Sequence, residues 1–504
     1  MNYKFIFSFF CLWFSSAFSS QAPAIEWQRT YGGTSADTHM DVQQTSDGGY
    51  IHIGASISNN GDVTGNHGNV DIWVVKTNAS GDILWQKSLG GTSYDQGSSI
   101  RQTSDGGYIL AGTSNSNNGD VTGNNGNKDY WVVKLNATGN IQWQKNYGGN
   151  NDDIATSIRP TSEGGYIVTG YKSMAPPTMV GGDRKYWVVK LDSSGNIQWQ
   201  NTYGGENWEE AYSIEQTTDG GYIVAGYSSS LYTYVIGNHG AEDYWIIKIN
   251  AAGALEWQKS LGGTSSEKAR AIKQAQDGGY FVVGHSFSNN GDVTGNNGDK
   301  DYWVVKLSAT GNIIWQKSLG TSLWEEAVGV DSTLDGGCVV TGYAHTPKDG
   351  SPNNIDYWVL KLNSSGNIEW QNYYGGLLTD QASSIQKTSD GGYILGGFSY
   401  SGPTGSTDYW IIKLAGNQLS THENNSKNNI SIYPNPAKDF VTISHLPNET
   451  TISILDLSGR KIFNKKYAEA KVSMNISQLT NGTYIIQVDD QEKTILSEKL
   501  IIKK

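Results

Sequence analysis

Cysteine is nearly absent: of 504 residues only Cys11 and Cys338 carry a thiol, and Cys11 lies inside an apolar N-terminal run, so once that run is removed no internal disulfide can form. Cys338 stands where the repeat described below has Tyr, which marks it as a packed thiol and not a nucleophile. No apolar stretch after Phe14 approaches membrane length, which argues against a transmembrane segment. Basic residues are in deficit, 36 Lys and Arg against 48 Asp and Glu. The imbalance is uneven: residues 430–504 hold ten basic and eight acidic side chains, leaving 26 against 40 elsewhere. A surface that acidic excludes nonspecific nucleic-acid binding and suits cations or neutral ligands. Gly-x-Ser-x-Gly, His-Glu-x-x-His and phosphate loops are all missing, and the eight histidines are scattered; only His67 and His239 share a loop position. No catalytic residue and no certain cofactor is therefore expected. Ten prolines against 62 glycines point to many tight turns.

Residues 1–20 combine Lys4, the run Phe5–Phe14 and the small residues Ser15, Ser16, Ala17, Ser19 and Ser20, the pattern of a secretory signal peptide. Beyond it a sentence recurs. Its Trp-Gln falls at Trp27, Trp85, Trp143, Trp199, Trp257, Trp315 and Trp370, and a second tryptophan keeps the same beat at Trp73, Trp131, Trp187, Trp245, Trp303, Trp358 and Trp410. These series hold fourteen of the seventeen tryptophans, so the aromatic content is scaffold first. Each copy has four short stretches rich in Val, Ile, Tyr and Trp, separated by Ser-Asp-Gly-Gly and Asn-Ala-Thr-Gly-Asn turns, which predicts four antiparallel strands. Trp131, Val133 and Leu135 fall on one face of a strand and Tyr130 and Val132 on the other, so the sheet must be covered on both sides. The chain opens with an orphan fourth strand around Trp27 and its last copy stops after the third, at Leu414. Complementary ends predict an all-β fold: a seven-bladed β-propeller over residues 25–415, closed by the N-terminal strand, then a polar linker at 416–429 and a small C-terminal β-sandwich at 430–504.

The tail carries Tyr433-Pro434-Asn435-Pro436, Asp456 with Gly459-Arg460, and Gly482 followed by Tyr484. In this order at the C-terminus, the motifs resemble the sorting (Por secretion) domain of Bacteroidetes type IX secretion cargo. That resemblance implies recognition of residues 430–504 by the secretion machinery, passage through the periplasm, and a secreted or outer-surface location. The Asp-Gly-Gly-Tyr repeats are similar to propeller repeats of such cargo, which implies no activity.

Strand parity puts the loop between strands two and three, and the loop into the next copy, on one variable face, where binding is expected. Three features stand there. First, a carboxylate opens each first strand: Asp37, Asp95, Asp153, Glu209, Glu267, Glu325 and Asp380. These form either a cation or polar-ligand ring at the channel mouth or a set of loop anchors accepting backbone N–H bonds; recurrence in every copy favours the second, since a specific site needs asymmetry. Second, Asn-Asn-Gly-Asp-Val-Thr-Gly-Asn places Asp62, Asp120 and Asp292 among oxygens that suit calcium, or merely Asx turns. Third, Trp208 and Trp324 break the tryptophan rhythm immediately before a ring carboxylate, with Tyr94 equivalent in another copy, which suits stacking on a sugar or plugging a gap. The expected function is a non-catalytic binding or adhesion module for an extracellular glycan or protein; the alternative is a polysaccharide-acting hydrolase or lyase, with Glu209, Glu210, Glu325 and Glu326 supplying carboxylates.

Overall fold

The computed structural model describes residues 21–174, 183–231, 234–346, 354–400, 406–416, 430–447, 449–456, 460–490 and 493–504; the expected signal peptide and nearly all of the expected linker lie outside them. The chain divides into two compact units, at Gly416 and Asn417. Every named element is a strand, and no helix is long and apolar enough to cross a membrane.

The first unit is built from seven antiparallel four-stranded sheets of propeller-blade topology. The first sheet pairs Asp37–Gln44, Tyr50–Ser56, Asp71–Thr77 and Ile83–Leu89 in chain order. The seventh takes Asp380–Lys387, Tyr393–Ser399 and Asp408–Leu414 from the end of the unit and its fourth strand, Ile25–Tyr31, from the beginning, with Gln28 opposite Ile412 and Thr30 opposite Trp410.

The Asp-Gly-Gly turn does two jobs. In the second sheet Gly106 takes φ 79°, which an L side chain resists, and Asp105 accepts the Gly107 N–H at 3.0 Å. Asp105 also meets Lys134 of strand three at 2.9 Å, and this partner is what allows a lysine inside a buried strand. The same pairing recurs at Lys76, Lys190, Lys248, Lys306, Lys361 and Lys413.

Middle strands such as Tyr108–Ser114 and Asp129–Leu135 are buried along their length, as apolar residues on both faces require. Neighbouring sheets share each core: Trp131, Val133 and Leu135 pack with Ile51, Ile53 and Ile72 of the sheet before. Between the seventh sheet and the first the same kind of cluster joins Ile394, Tyr409 and Ile411 to Tyr50, Trp73 and Val75. Tyrosine hydroxyls stitch the junctions, Tyr130 donating to the Trp187 carbonyl at 3.1 Å and Tyr409 to that of Trp73 at 3.0 Å. Burying one scaffold tryptophan removes roughly 150–250 Å² from water, about 4–6 kcal/mol at ~25 cal/mol per Å². Its indole N–H is not lost, since Trp73 donates to Gln86 at 2.9 Å.

In the second unit, Ser431–Tyr433, Phe440–Ser444 and Lys471–Asn475 form one sheet, and Lys461–Tyr467, Thr450–Leu455, Gly482–Asp490 and Lys493–Ile502 another. Val441, Ile443, Ile452, Ile486 and Leu500 belong to one shared core.

Candidate functional site

The first strands of all seven sheets line one polar cavity of about 780 Å³. Deep in it an ion-paired belt runs from strand to strand: Arg101 bonds Asp41, Arg159 meets Glu215 at 3.0 Å, and Lys273 lies 3.6 Å from Glu215 and 3.8 Å from Asp331.

None of the seven ring carboxylates lines this cavity. Asp37, Asp95, Asp153, Glu209, Glu267, Glu325 and Asp380 open their strands pointing into the junction with the preceding sheet, and all are buried. Strand alternation gives the reason: in three sheets the residue one step on, Gln96, Glu326 or Gln381, reaches the cavity instead. Each ring carboxylate accepts an N–H from four residues earlier, for example Gly33 to Asp37 at 2.8 Å, Gly205 to Glu209 at 3.0 Å and Gly376 to Asp380 at 2.7 Å. Loop serines add donors, as Ser116 does to Asp95 at 2.7 Å.

Beside six of these carboxylates stands a second one, at the start of strand three of the sheet before: Asp71, Asp129, Asp243, Asp301, Asp356 and Asp408. Glycine separates them because nothing larger fits; a Cβ on Gly90 would lie 2.7 Å from both Asp71 Oδ1 and Asp95 Oδ2. Burial pushes the Asp153 and Asp243 carboxyls up to about 6, with Asp129 and Glu267 adding to the rise. Sequence reasoning missed these partners, although Asp before Tyr-Trp recurs plainly in the copies.

Asymmetry appears in sheets three to six. One residue past the ring position, where three copies have Thr38, Gln96 and Gln381, the fourth, fifth and sixth have Glu210, Lys268 and Glu326. Glu326, 4% exposed, accepts from Arg270 Nε and Lys300 Nζ at 2.6 Å each and from the Tyr343 hydroxyl at 2.7 Å, with His285 Nδ1 3.4 Å away. The Arg270 guanidinium lies 4.5 Å from the centre of the Tyr212 ring, and Tyr212 donates to Glu210 at 2.8 Å. Glu210 in turn pairs with Arg184. The network ends in the two tryptophans that break the rhythm: Arg184 covers Trp208 at 4.8 Å and Lys300 covers Trp324 at 4.9 Å. Trp208 and Trp324 remain 38% and 37% exposed, unlike the scaffold indoles. Tyr94, half-buried, has Lys128 over its ring at 5.0 Å but stands apart from this network.

The electrostatics suit holding more than reacting. Burial works against an ionised Glu326, yet His285, Arg270 and Lys300 prevail and keep its carboxyl well below the usual range. Burial pushes the His285 imidazole down, against the opposing pull of Glu326. Tyr212 and Tyr343 are pushed up by burial and by their glutamates, and stay protonated donors. A general base needs a pKa near the working pH, and Glu326 is far from it.

The loop aspartates serve their own loops. Asp62, Asp120 and Asp292 exchange bonds with Gly32, Gly90 and Gly262, each backbone N–H donating to the glycine carbonyl at 2.9 Å. Among the described residues, no three of His, Cys, Asp and Glu gather where a metal could be held.

In the second unit Tyr433, Pro434, Asn435 and Pro436 are all exposed, and Asn435 anchors them by accepting the Ile501 N–H at 2.9 Å. Arg460 Nε donates to Asp456 Oδ2 at 3.0 Å; Gly459 lies outside the described residues. Gly482 opens a strand, and Tyr484 donates to the Thr480 carbonyl at 3.1 Å.

Residues 431–503 match the family model of the secretion system C-terminal sorting domain. An endo-acting ulvan lyase of Formosa agariphila is 33% identical over 93 residues, 18% of each chain. The regulatory protein FlaEY of Caulobacter vibrioides is 24% identical over 170 residues, 31% of this chain and 18% of that protein. The chain thus spans under a fifth of the length of these curated relatives. Among solved structures, PorZ, a surface component of the type IX secretion system of Porphyromonas gingivalis, aligns at 13% identity over 91% of this chain and 58% of its own, TM-score 0.39. The polysaccharide lyase Uly1 aligns at 9% identity over 76% of this chain and 90% of its own, TM-score 0.43. With its motifs displayed on a separately folded β-unit, the tail at 431–503 is a C-terminal sorting domain, and the chain is type IX secretion cargo, delivered to the cell surface or beyond it.

Proposed function

We propose that the first unit is a closed seven-bladed propeller which, once exported, binds an extracellular glycan or protein at the mouth of its channel without transforming it. The observation that supports this is the local loss of repeat symmetry: sheets three to six alone carry the Glu210–Tyr212–Arg270–Glu326 network, flanked by exposed Trp208 and Trp324. The exposed indoles offer stacking surface for a sugar ring, and the surrounding donors and acceptors fix its hydroxyls. Glycan-array binding followed by Trp208→Ala and Trp324→Ala tests the reading; both substitutions should abolish binding while the melting temperature holds, and binding that survives both overturns it.

A second reading, a hydrolase or lyase acting on polysaccharide, is favoured by the convergence of carboxylates from different sheets, Glu210 and Glu326, on the Tyr212–Arg270 pair. Turnover of an array hit, lost in Glu326→Gln, would select it.

A further inference from the structure

At four sheet junctions the strand-three aspartate is only half used. Asp71, Asp129, Asp243 and Asp301 each spend Oδ2 on a backbone N–H four residues earlier, from His67 at 2.9 Å and from Asn125, His239 and Asn297 at 2.8 Å each, and the His67 and His239 rings add Nδ1 to the same oxygen at 2.7 and 2.8 Å. Their Oδ1 atoms are buried and have no hydrogen-bond partner. Oδ1 is also the atom turned toward the next sheet's carboxylate. A single added Cβ would lie 2.1 Å from Asp129 Oδ1 and 2.9 Å from Asp153 Oδ2 at Gly148, and 2.4 Å from both Asp301 Oδ1 and Glu325 Oε2 at Gly320. The same holds for Asp71 with Asp95 across Gly90, and for Asp243 with Glu267 across Gly262. Two carboxylates brought together out of water repel, and a cation or a shared proton must answer them; Lys172 acts from a distance on the Asp129–Asp153 pair and Lys300 on Glu325, with no ammonium bonded to an Oδ1.

The chain supplies that positive charge itself at one junction. Between the third and fourth sheets the aspartate is replaced by Lys185, and its ammonium sits among oxygens from alternate residues of the entering loop: the Gly205 carbonyl, the Asn207 carbonyl at 3.4 Å and Glu209 Oε2 at 3.4 Å. A cation surrounded by carbonyl and carboxylate oxygens is the environment of a hard metal ion.

We propose that Asp71 with Asp95, Asp129 with Asp153, Asp243 with Glu267, and Asp301 with Glu325 each hold a calcium-type divalent cation in the place that the Lys185 ammonium takes between the third and fourth sheets. The ions are structural, riveting sheet to sheet in a protein that works outside the cell, where modules of this kind bind calcium at roughly 10⁻⁴–10⁻³ M. These sites are distinct from the loops of Asp62, Asp120 and Asp292.

Equilibrium dialysis of the purified full chain against Ca²⁺, with melting in 1 mM Ca²⁺ and in chelator, tests the proposal. The wild type should take up four ions and melt higher with Ca²⁺. Lys185→Asp should take up one more, and Asp129→Lys one fewer while remaining folded in chelator. No uptake by the wild type, meaning a proton or water answers the paired charge, overturns the proposal. So does a count unmoved by Lys185→Asp and Asp129→Lys, which would put the ions elsewhere.

Discussion

Replacing Glu326 by Gln keeps the side-chain shape and removes one negative charge from the centre of the Arg270–Lys300–Tyr343 network. Glu326 takes hydrogen bonds from Arg270, Lys300 and Tyr343, and the Arg270 and Lys300 side chains are themselves only 27% and 12% exposed. In the variant two sheltered cations face a neutral amide that can accept at one atom only. Removing one member of a buried ion pair costs about 3–5 kcal/mol, because the partner keeps its desolvation penalty without its attraction. Water reaching Arg270 recovers part of this, so about 3 kcal/mol is expected. Glu210→Gln should cost less, about 1–2 kcal/mol, since its arginine, Arg184, is 30% exposed and can turn to solvent. Denaturant unfolding at pH 7 reads both values. A cycle adding Lys300→Met should return part of the Glu326→Gln loss, because it removes the stranded charge. A Glu326→Gln protein within about 0.5 kcal/mol of wild type, or a cycle with no coupling, would refute the claim that Glu326 is what holds these cations in place.

Gly320→Ala should destabilise by more than about 1 kcal/mol, since its Cβ would lie 2.4 Å from both the Asp301 and Glu325 carboxylate oxygens; an unchanged melting temperature would mean the junction opens freely. The hairpin acids give a pH dependence of definite sign. Asp47, Asp219 and Asp390 are held at about 2, partial burial being outweighed by the turn threonine and by Lys76, Lys248 and Lys413, while Lys134 leads in holding Asp105 there. A depressed carboxyl contributes stability that is complete above its ordinary pKa near 4 and is lost as pH falls toward 2. Melting temperature should therefore drop steeply between pH 4 and pH 2, and a flat profile there would show these pairs to be inert.

Much of the scaffold was legible because its signals are local and repeated. The two tryptophan series, the Asp-Gly-Gly turn and the orphan strand at Trp27 all point to sheets of four, and Trp27 does sit opposite Lys413 in the seventh. What strand parity could not carry was the aim of the first strands. Each has a register shift three residues in, as between Gly97 and Ser99 or between Ala211 and Ser213, and counting by alternation past that bulge assigns later side chains to the wrong face. The ring carboxylates were found for their regularity, yet their partners Asp71 and Asp129 passed as ordinary strand openers, because contacts between sheets leave no mark in spacing within one copy. The Glu326 network was half visible: Glu210 and Glu326 stood next to the exceptional tryptophans, but Arg270 and His285 come from two other strands and Lys300 from the loop before a third.

A repeat protein separates the demands of stability and recognition more cleanly than an irregular fold does. A contact made in nearly every copy cannot single out one ligand, so its role is structural; the lysine–carboxylate hairpins of all seven sheets, and the Tyr-to-Trp-carbonyl bonds and junction carboxylate pairs of six, belong to this class. A contact made in one sector only cannot be required by the repeat geometry, since the other sheets fold without it. Glu326 satisfies three donors that no other sheet assembles in this way, and Trp324 stays a third exposed where Trp303, one strand away in the chain, is wholly buried. Trp324 packs on His345, with ring centres 4.6 Å apart, and lies under Lys300, yet a third of it still faces water, where an apolar surface is costly. Under the binding role proposed above, a partner covering sheets three to six would take that remaining surface out of water, so Trp324→Ala should weaken its binding without lowering the melting temperature.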